Sequence, residues 1–205
     1  MIRSAPRVRR ARLVAPLVLL GLLSGCAGGD VAIRYYVIDP VPGGALVADH
    51  SGPAVAILDL TIPQYLERFN IATRSGENRL VFSETRQWGG NLRKNLMRTM
   101  ARNLSELLAS TDISTPLNRS ASRPDYRLQI NIEQFERGTD GRIRLAARWQ
   151  ISDGDGKALA MHSADLHDGD VTADGDYDAI VAAMQQQYGR LCHAVAESIQ
   201  ALQQP

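Results

Sequence analysis

Cysteine is almost missing from this chain: 205 residues hold two, Cys26 and Cys192. No disulfide framework can therefore staple the fold, and if one of the two is consumed by other chemistry no intramolecular bridge remains at all. Also missing are the Gly-x-Ser-x-Gly elbow, the phosphate-cradling Walker loop and the dinucleotide fingerprint, and no Cys, His and Asn stand in a defensible nucleophilic arrangement. Those absences remove the sequence signatures of the common hydrolases and nucleotide-dependent enzymes. There is no internal repeat. Only one long apolar run occurs, and it is N-terminal, so no second membrane-crossing candidate exists in the sequence.

The first segment is equally one-sided in charge. It contains Arg3, Arg7, Arg9, Arg10 and Arg12 with no acid, and the apolar stretch Leu13 to Leu23 follows. Basic, then apolar, is the order of a secretory signal, and the stretch is shorter than the ~20 apolar residues that cross a bilayer. It ends in Leu23-Ser24-Gly25-Cys26. Small residues at positions 24 and 25 give a peptidase access to the backbone, and the Cys26 thiol can accept a diacylglyceryl group as a thioether. The expectation is a lipoprotein signal peptide over residues 1–25, lipidation at Cys26, a lipidated tether over 26–32 and a single domain over 33–205. At ~0.8 kcal/mol per buried CH₂, two or three acyl chains anchor a protein essentially permanently. Ala27 stands where Asp would retain the chain at the inner membrane under general sorting rules, so the expected location is the periplasmic face of the outer membrane.

Removal of the signal leaves 180 residues carrying eighteen basic and twenty-two acidic side chains. A mildly acidic chain gives no reason to expect nucleic acid or anionic lipid headgroups as a partner, since both call for clustered Lys and Arg. No cofactor is expected beyond the covalent lipid on Cys26.

The remaining length suits one core. Ile33 to Ile38 and Ala54 to Leu60 read as strands, separated by a loop from Pro40 to Pro53, and Pro63 ends the second. Phe69 to Arg74 and Leu80 to Ser83 flank Ser75-Gly76-Glu77-Asn78, which has turn chemistry, and form a hairpin. From Trp88 to Leu108 apolar residues repeat at helical spacing. Tyr126 to Phe135, Arg142 to Ile151 and Ala158 to Leu166 alternate as a three-stranded meander, turned at Gly138 to Gly141 and at Asp153-Gly154-Asp155-Gly156. A polar loop, Asp168 to Gly175, precedes a second helix whose stripe runs through Tyr177, Ile180, Met184, Tyr188, Leu191, Val195, Ile199 and Leu202. Cys192 lies beside that stripe as a small buried residue. The fold class expected is α+β: a mostly antiparallel sheet with two long helices packed on one face, preceded by a cleaved lipoprotein signal peptide.

Two clusters invite chemistry. Asp153 to Gly156 begins like a calcium loop, yet Ala164 stands where a bidentate Glu is needed, so a hairpin turn is the better reading. His162, Asp165, His167, Asp168 and Asp170 would serve a metal or a hydrolase, but residues five apart on a strand point to opposite faces. The chain is therefore read as a non-enzyme without a metal site.

Several motifs fall in register along the mature chain: Tyr35-Tyr36-Val37-Ile38-Asp39-Pro40, the Pro63 to Arg68 stretch, Ile71 to Asn78, and Arg86-Gln87-Trp88 before a helix. In these the sequence resembles the ABC-type transport auxiliary lipoproteins typified by paraquat-inducible protein C. It departs at Phe69, where Pro often follows the Arg, and at Gly89-Gly90-Asn91, which replaces Ala-acidic-Pro. The resemblance implies an accessory subunit of an intermembrane lipid transport system. Its implied partners are a protein with mammalian-cell-entry (MCE) domains and integral-membrane or ABC transporter subunits, with self-association as a further possibility. The alternative is an outer-membrane lipoprotein that assists envelope assembly without a lipid-transport partner.

Tyr65, Arg68, Arg74, Asn78 and Trp88 are the expected partner-contact residues, since Tyr, Trp and Arg carry interface hot spots. Each also has a plain structural role available: Trp88 packing under the helix N-terminus, Asn78 as a left-handed turn residue, Arg74 paired with Glu84.

Overall fold

A computed structural model describes residues 32–41, 51–120, 122–170 and 175–203. The expected signal peptide, its lipidation site Cys26 and nearly all of the expected tether over 26–32 lie outside these residues, as do most of the Pro40–Pro53 loop and part of the loop before the last helix.

Among the described residues, eight strands and two α-helices follow in the order β1 (Arg34–Tyr36), β2 (Val55–Thr61), a 3₁₀ turn (Gln64–Glu67), β3 (Asn70–Gly76), β4 (Arg79–Trp88), α1 (Leu92–Leu107), β5 (Ile113–Ser114), β6 (Tyr126–Arg137), β7 (Arg142–Asp153), β8 (Ala158–Asp170) and α2 (Tyr177–Ala201). The class is α+β, but the sheet is mixed, not mostly antiparallel. The β3–β4 hairpin and the β6–β7–β8 meander are antiparallel, while β1 with β4, β2 with β5, and both β2 and β3 with β6 pair in parallel. Alternation reports which face of a strand is buried and carries no strand direction, so the sequence pattern was blind to those pairings.

The long strands β6 and β7 alternate as their sequences suggest. Leu128, Ile130 and Ile132 of β6, and Ile143, Leu145, Ala147, Trp149 and Ile151 of β7, are buried against the helices. Gln129, Asn131 and Arg148 face outward and are exposed. Both helices join this one core: the Tyr188 hydroxyl of α2 donates to the Leu96 carbonyl of α1 at 2.7 Å, and the Trp149 indole donates to Ser198 of α2 at 3.0 Å.

Helix α1 begins at Leu92, not at Trp88, which closes β4. Asn91 caps it, its Oδ1 accepting from the Lys94 N–H at 2.9 Å. At its other end Ala109 adopts φ 50°, a conformation usually given to glycine, and its carbonyl accepts from the Gly52 N–H at 3.0 Å. The chain approaches so closely there that a Cβ on Gly52 would sit 1.9 Å from the Leu108 carbonyl oxygen. Strand β8 continues through Asp170, into what the sequence suggested was loop.

Candidate functional site

Strands β2 and β3 lie end to end along one edge of β6. Strand β2 pairs with Tyr126 to Asn131, and β3 meets the same strand only at Arg137. Between them the chain leaves the sheet through Pro63 and the 3₁₀ turn. Strand β6 carries a bulge between Ile132 and Gln134, which shifts its alternation and turns Glu136 under the departing chain.

Glu136 is fully buried, and its carboxylate gathers the groups around this gap. The Tyr65 hydroxyl, from the 3₁₀ turn, donates to Oε2. Arg74 of β3 donates to Oε1 through Nε at 3.0 Å and a terminal nitrogen at 2.8 Å. The Gln134 amide donates to Oε1 at 2.8 Å. The Phe135 N–H, which has no ladder partner on this edge, donates to Oε2 at 3.1 Å. A buried carboxylate is tolerable only when paired and hydrogen-bonded, and here every acceptor site is used. Burial, followed by the Glu136 carboxylate, pushes the Tyr65 hydroxyl pKa well above its ordinary value, so the phenol keeps its proton. This is a clasp that splices β2 and β3 onto β6, with no free lone pair left for acid–base chemistry.

The expected contact residues thus separate. Tyr65 and Arg74 come together at Glu136, and Arg74 also donates to the Glu77 carbonyl at 2.7 Å, tying the hairpin turn to the clasp. Its ion-pair partner is Glu136, not Glu84. Arg68 is exposed and its guanidinium lies 4.5 Å above the Phe82 ring, a cation–π contact. Beside it Phe69 is 60% exposed and Val81 45%. Asn78 is exposed in the turn but does not have the left-handed φ foreseen for it. Trp88 is 3% exposed and belongs to the core. Sequence reasoning missed Glu136 because it stands 71 residues from Tyr65 in a strand whose alternation otherwise marked Glu as solvent-facing. Gln134-Phe135-Glu136-Arg137, where alternation fails, was the available signal.

The other clusters stay apart. His162 stacks on Trp149, ring centroids 5.5 Å apart, whereas His167 pairs with Asp165 at 3.3 Å on the opposite face of β8. Among the described residues no group of three or more His, Cys, Asp or Glu is placed to hold a metal. Asp153 accepts from the N–H groups of Asp155 and Lys157, both at 2.9 Å, which lowers its pKa and closes a hairpin turn. Cys192 is fully buried, accepts from Asn103 at 3.3 Å, and has its thiol pKa pushed up to about 12 by burial. A thiol so desolvated is not a nucleophile.

The family described as "ABC-type transport auxiliary lipoprotein component" matches residues 36–196. The chain belongs to that family. The intermembrane transport lipoprotein PqiC of Escherichia coli is 22% identical over 182 residues, covering 88% of this chain and 93% of that protein. The protein of the same name from Shigella flexneri matches equally. Among solved structures, an uncharacterized protein superposes with a TM-score of 0.66 at 18% identity, covering 82% of this chain and 99% of the other. One from Xanthomonas campestris gives 0.60 at 15% identity, with 80% and 90% covered. These establish the fold. As a family member the chain is an auxiliary lipoprotein of a transport system, and the family is one of transport auxiliaries, not of known enzymes.

Proposed function

We propose that this auxiliary lipoprotein is anchored through acylated Cys26 to the periplasmic face of the outer membrane, where it docks an MCE-domain protein of an intermembrane lipid transporter. The observation that carries the reading is the family match over residues 36–196, preceded at the right distance by Leu23-Ser24-Gly25-Cys26. The transporter's ABC and integral-membrane subunits supply energy; this chain supplies position. Confinement by the anchor raises the effective concentration of the domain toward any partner reaching across the periplasm, so a contact of modest intrinsic affinity suffices.

The contact surface we assign is the β3–β4 hairpin with the segment leading into it. Arg68 on Phe82, with Phe69, Val81 and Asn78, presents exposed aromatic, aliphatic and cationic groups, the types that carry interface energy. Tyr65 and Arg74 hold that surface in place through Glu136.

A photo-crosslinking residue placed at Arg68 or Asn78 in living cells tests this. Capture of an MCE-domain protein from those positions, and not from Lys157 in the β7–β8 turn, is expected. Capture of outer-membrane assembly factors instead would favour the envelope-assembly role, and equal capture from Lys157 would remove the hairpin as the contact surface.

A further inference from the structure

Strand β1, with the residues flanking it, breaks the pattern that β6 and β7 obey. Tyr36 and Ile38 turn inward onto the core, Ile38 being fully buried. Ile33, Tyr35 and Val37 take the opposite face, two residues apart, and are 45%, 65% and 48% exposed. On a sheet face that meets water such positions are ordinarily polar, as Gln129, Asn131 and Arg148 are. Single exposed apolar side chains need no explanation, and β8 exposes a pair, Leu159 and Met161, before Ser163 and Asp165 interrupt them. Only at β1, among the described residues, do three successive positions of one strand face expose large apolar side chains.

The neighbouring chain leaves this row uncovered. Among the described residues β1 pairs only with β4, and beyond Trp88 that strand gives way to Gly89 and Gly90, which have no side chain to lay over it. A Cβ on Gly89 would lie 3.3 Å from Val37 Cγ1 and 3.9 Å from Tyr35 Cβ, so the row packs down on bare backbone. The Gly89 N–H donates to the Tyr36 carbonyl at 2.7 Å, which fixes the strand there. The row is also uncharged. Tyr35 stands opposite Gln87, and Arg34, on the inward face, reaches Asp178 of α2 at 3.8 Å. Asp39, exposed, ends it.

We propose that Ile33, Tyr35 and Val37 rest on the membrane surface, in the zone between headgroups and acyl chains. Tyr suits that zone, its ring apolar and its hydroxyl wet, and the two aliphatic side chains flank it. Asp39 keeps the contact shallow, since a carboxylate does not leave water without a partner. Position in the chain selects a lipid surface over a protein partner. Ile33 stands seven residues after Cys26, so an acylated Cys26 holds it within ~25 Å of the bilayer, at ~3.3–3.6 Å per residue. That step rests on the anchored reading above. Tethered so closely, the row meets lipid at high effective concentration, and a contact too weak to recruit a free protein is still populated. The consequence is orientation: an acyl chain and a strand face are two attachments, and together they hold the domain in one pose where a tether alone would let it swing.

The test places the anchored protein in phosphatidylcholine vesicles whose acyl chains are brominated near the headgroup, where they quench only tryptophan that reaches them. Trp88 and Trp149 are buried and give a constant background. Tyr35→Trp is expected to lose about half or more of its added fluorescence, and Met161→Trp, on the β8 edge, almost none. Ile33→Ser with Val37→Ser in the Tyr35→Trp chain should cut the quenching about twofold or more, while Leu159→Ser should not. Added phosphatidylglycerol should change little, because the row carries no charge. Absent quenching, equal quenching of Met161→Trp, or quenching that requires phosphatidylglycerol overturns the proposal. A blue shift without quenching that grows with protein density would assign the row to a second copy of this chain, and overturns it too. Mass spectrometry of the same sample reports whether Cys26 carries lipid. If it does not, the anchored reading fails by itself; coupling Cys26 to a maleimide lipid then supplies the anchor, Cys192 being buried, and the row is tested all the same.

Discussion

Glu136 shows how one side chain can join segments distant in sequence. Its charge is tolerable in the interior only because Arg74 stands beside it, so Arg74→Ala leaves a buried carboxylate without its counter-charge. We expect that change to cost about 3–5 kcal/mol of stability by urea denaturation, and a second change, Glu136→Leu, to restore much of the loss. A cost below ~1 kcal/mol would mean that the clasp is ornamental. Cys192 provides a second residue-level test. Burial raises its thiol pKa from 9.0 to about 12, with Tyr188 raised in the same sense. A folded-state pKa above the unfolded one means that stability is complete below pH ~9 and falls as pH rises toward 12, because the unfolded chain releases the proton first. The slope is at most about 1.4 kcal/mol per pH unit per group. Urea midpoints between pH 8 and 10.5 should decline, and Cys192→Ala should flatten the decline; an unchanged slope would contradict the assignment.

At the scale of the elements, the ends of α1 are set by specific residues. Ala109 bears a positive φ that costs an alanine about 1 kcal/mol relative to glycine. Ala109→Gly is therefore expected to raise stability by roughly that amount, read as a higher thermal midpoint, and destabilisation would show that its methyl group packs usefully. The helices, the hairpin and the meander were legible in the sequence because each rests on local periodicity and turn chemistry: Leu96, Met100 and Leu104 recur one turn apart, and Asp153 to Gly156 closes its own turn. The parallel pairings were not legible, since nothing in Val55 to Thr61 states that it will run beside Tyr126 to Asn131. Strand β5 is two residues long and carries no period to read. Of the five expected contact residues, two converge on a carboxylate hidden by the β6 bulge, and Trp88 lies in the core because β4 extends further than its apolar residues suggested.

Considered as a whole, the chain joins an N-terminal segment whose sequence reads as a sorting signal to a folded domain that brings no catalytic constellation together among its described residues. On the proposed reading, position is what such a molecule contributes, through an acylated Cys26, an α+β domain and an exposed hairpin held by the Glu136 clasp. The central claim is that this position serves an intermembrane transporter. The most direct measurement is recovery of the protein from crosslinked cell envelopes, with Cys26→Ala as the comparison and mass spectrometry as the readout. The account predicts that an MCE-domain protein and an ABC or integral-membrane subunit accompany the anchored chain and are lost or strongly reduced with Cys26→Ala. Recovery of outer-membrane assembly factors alone, or of no transporter component, would contradict it.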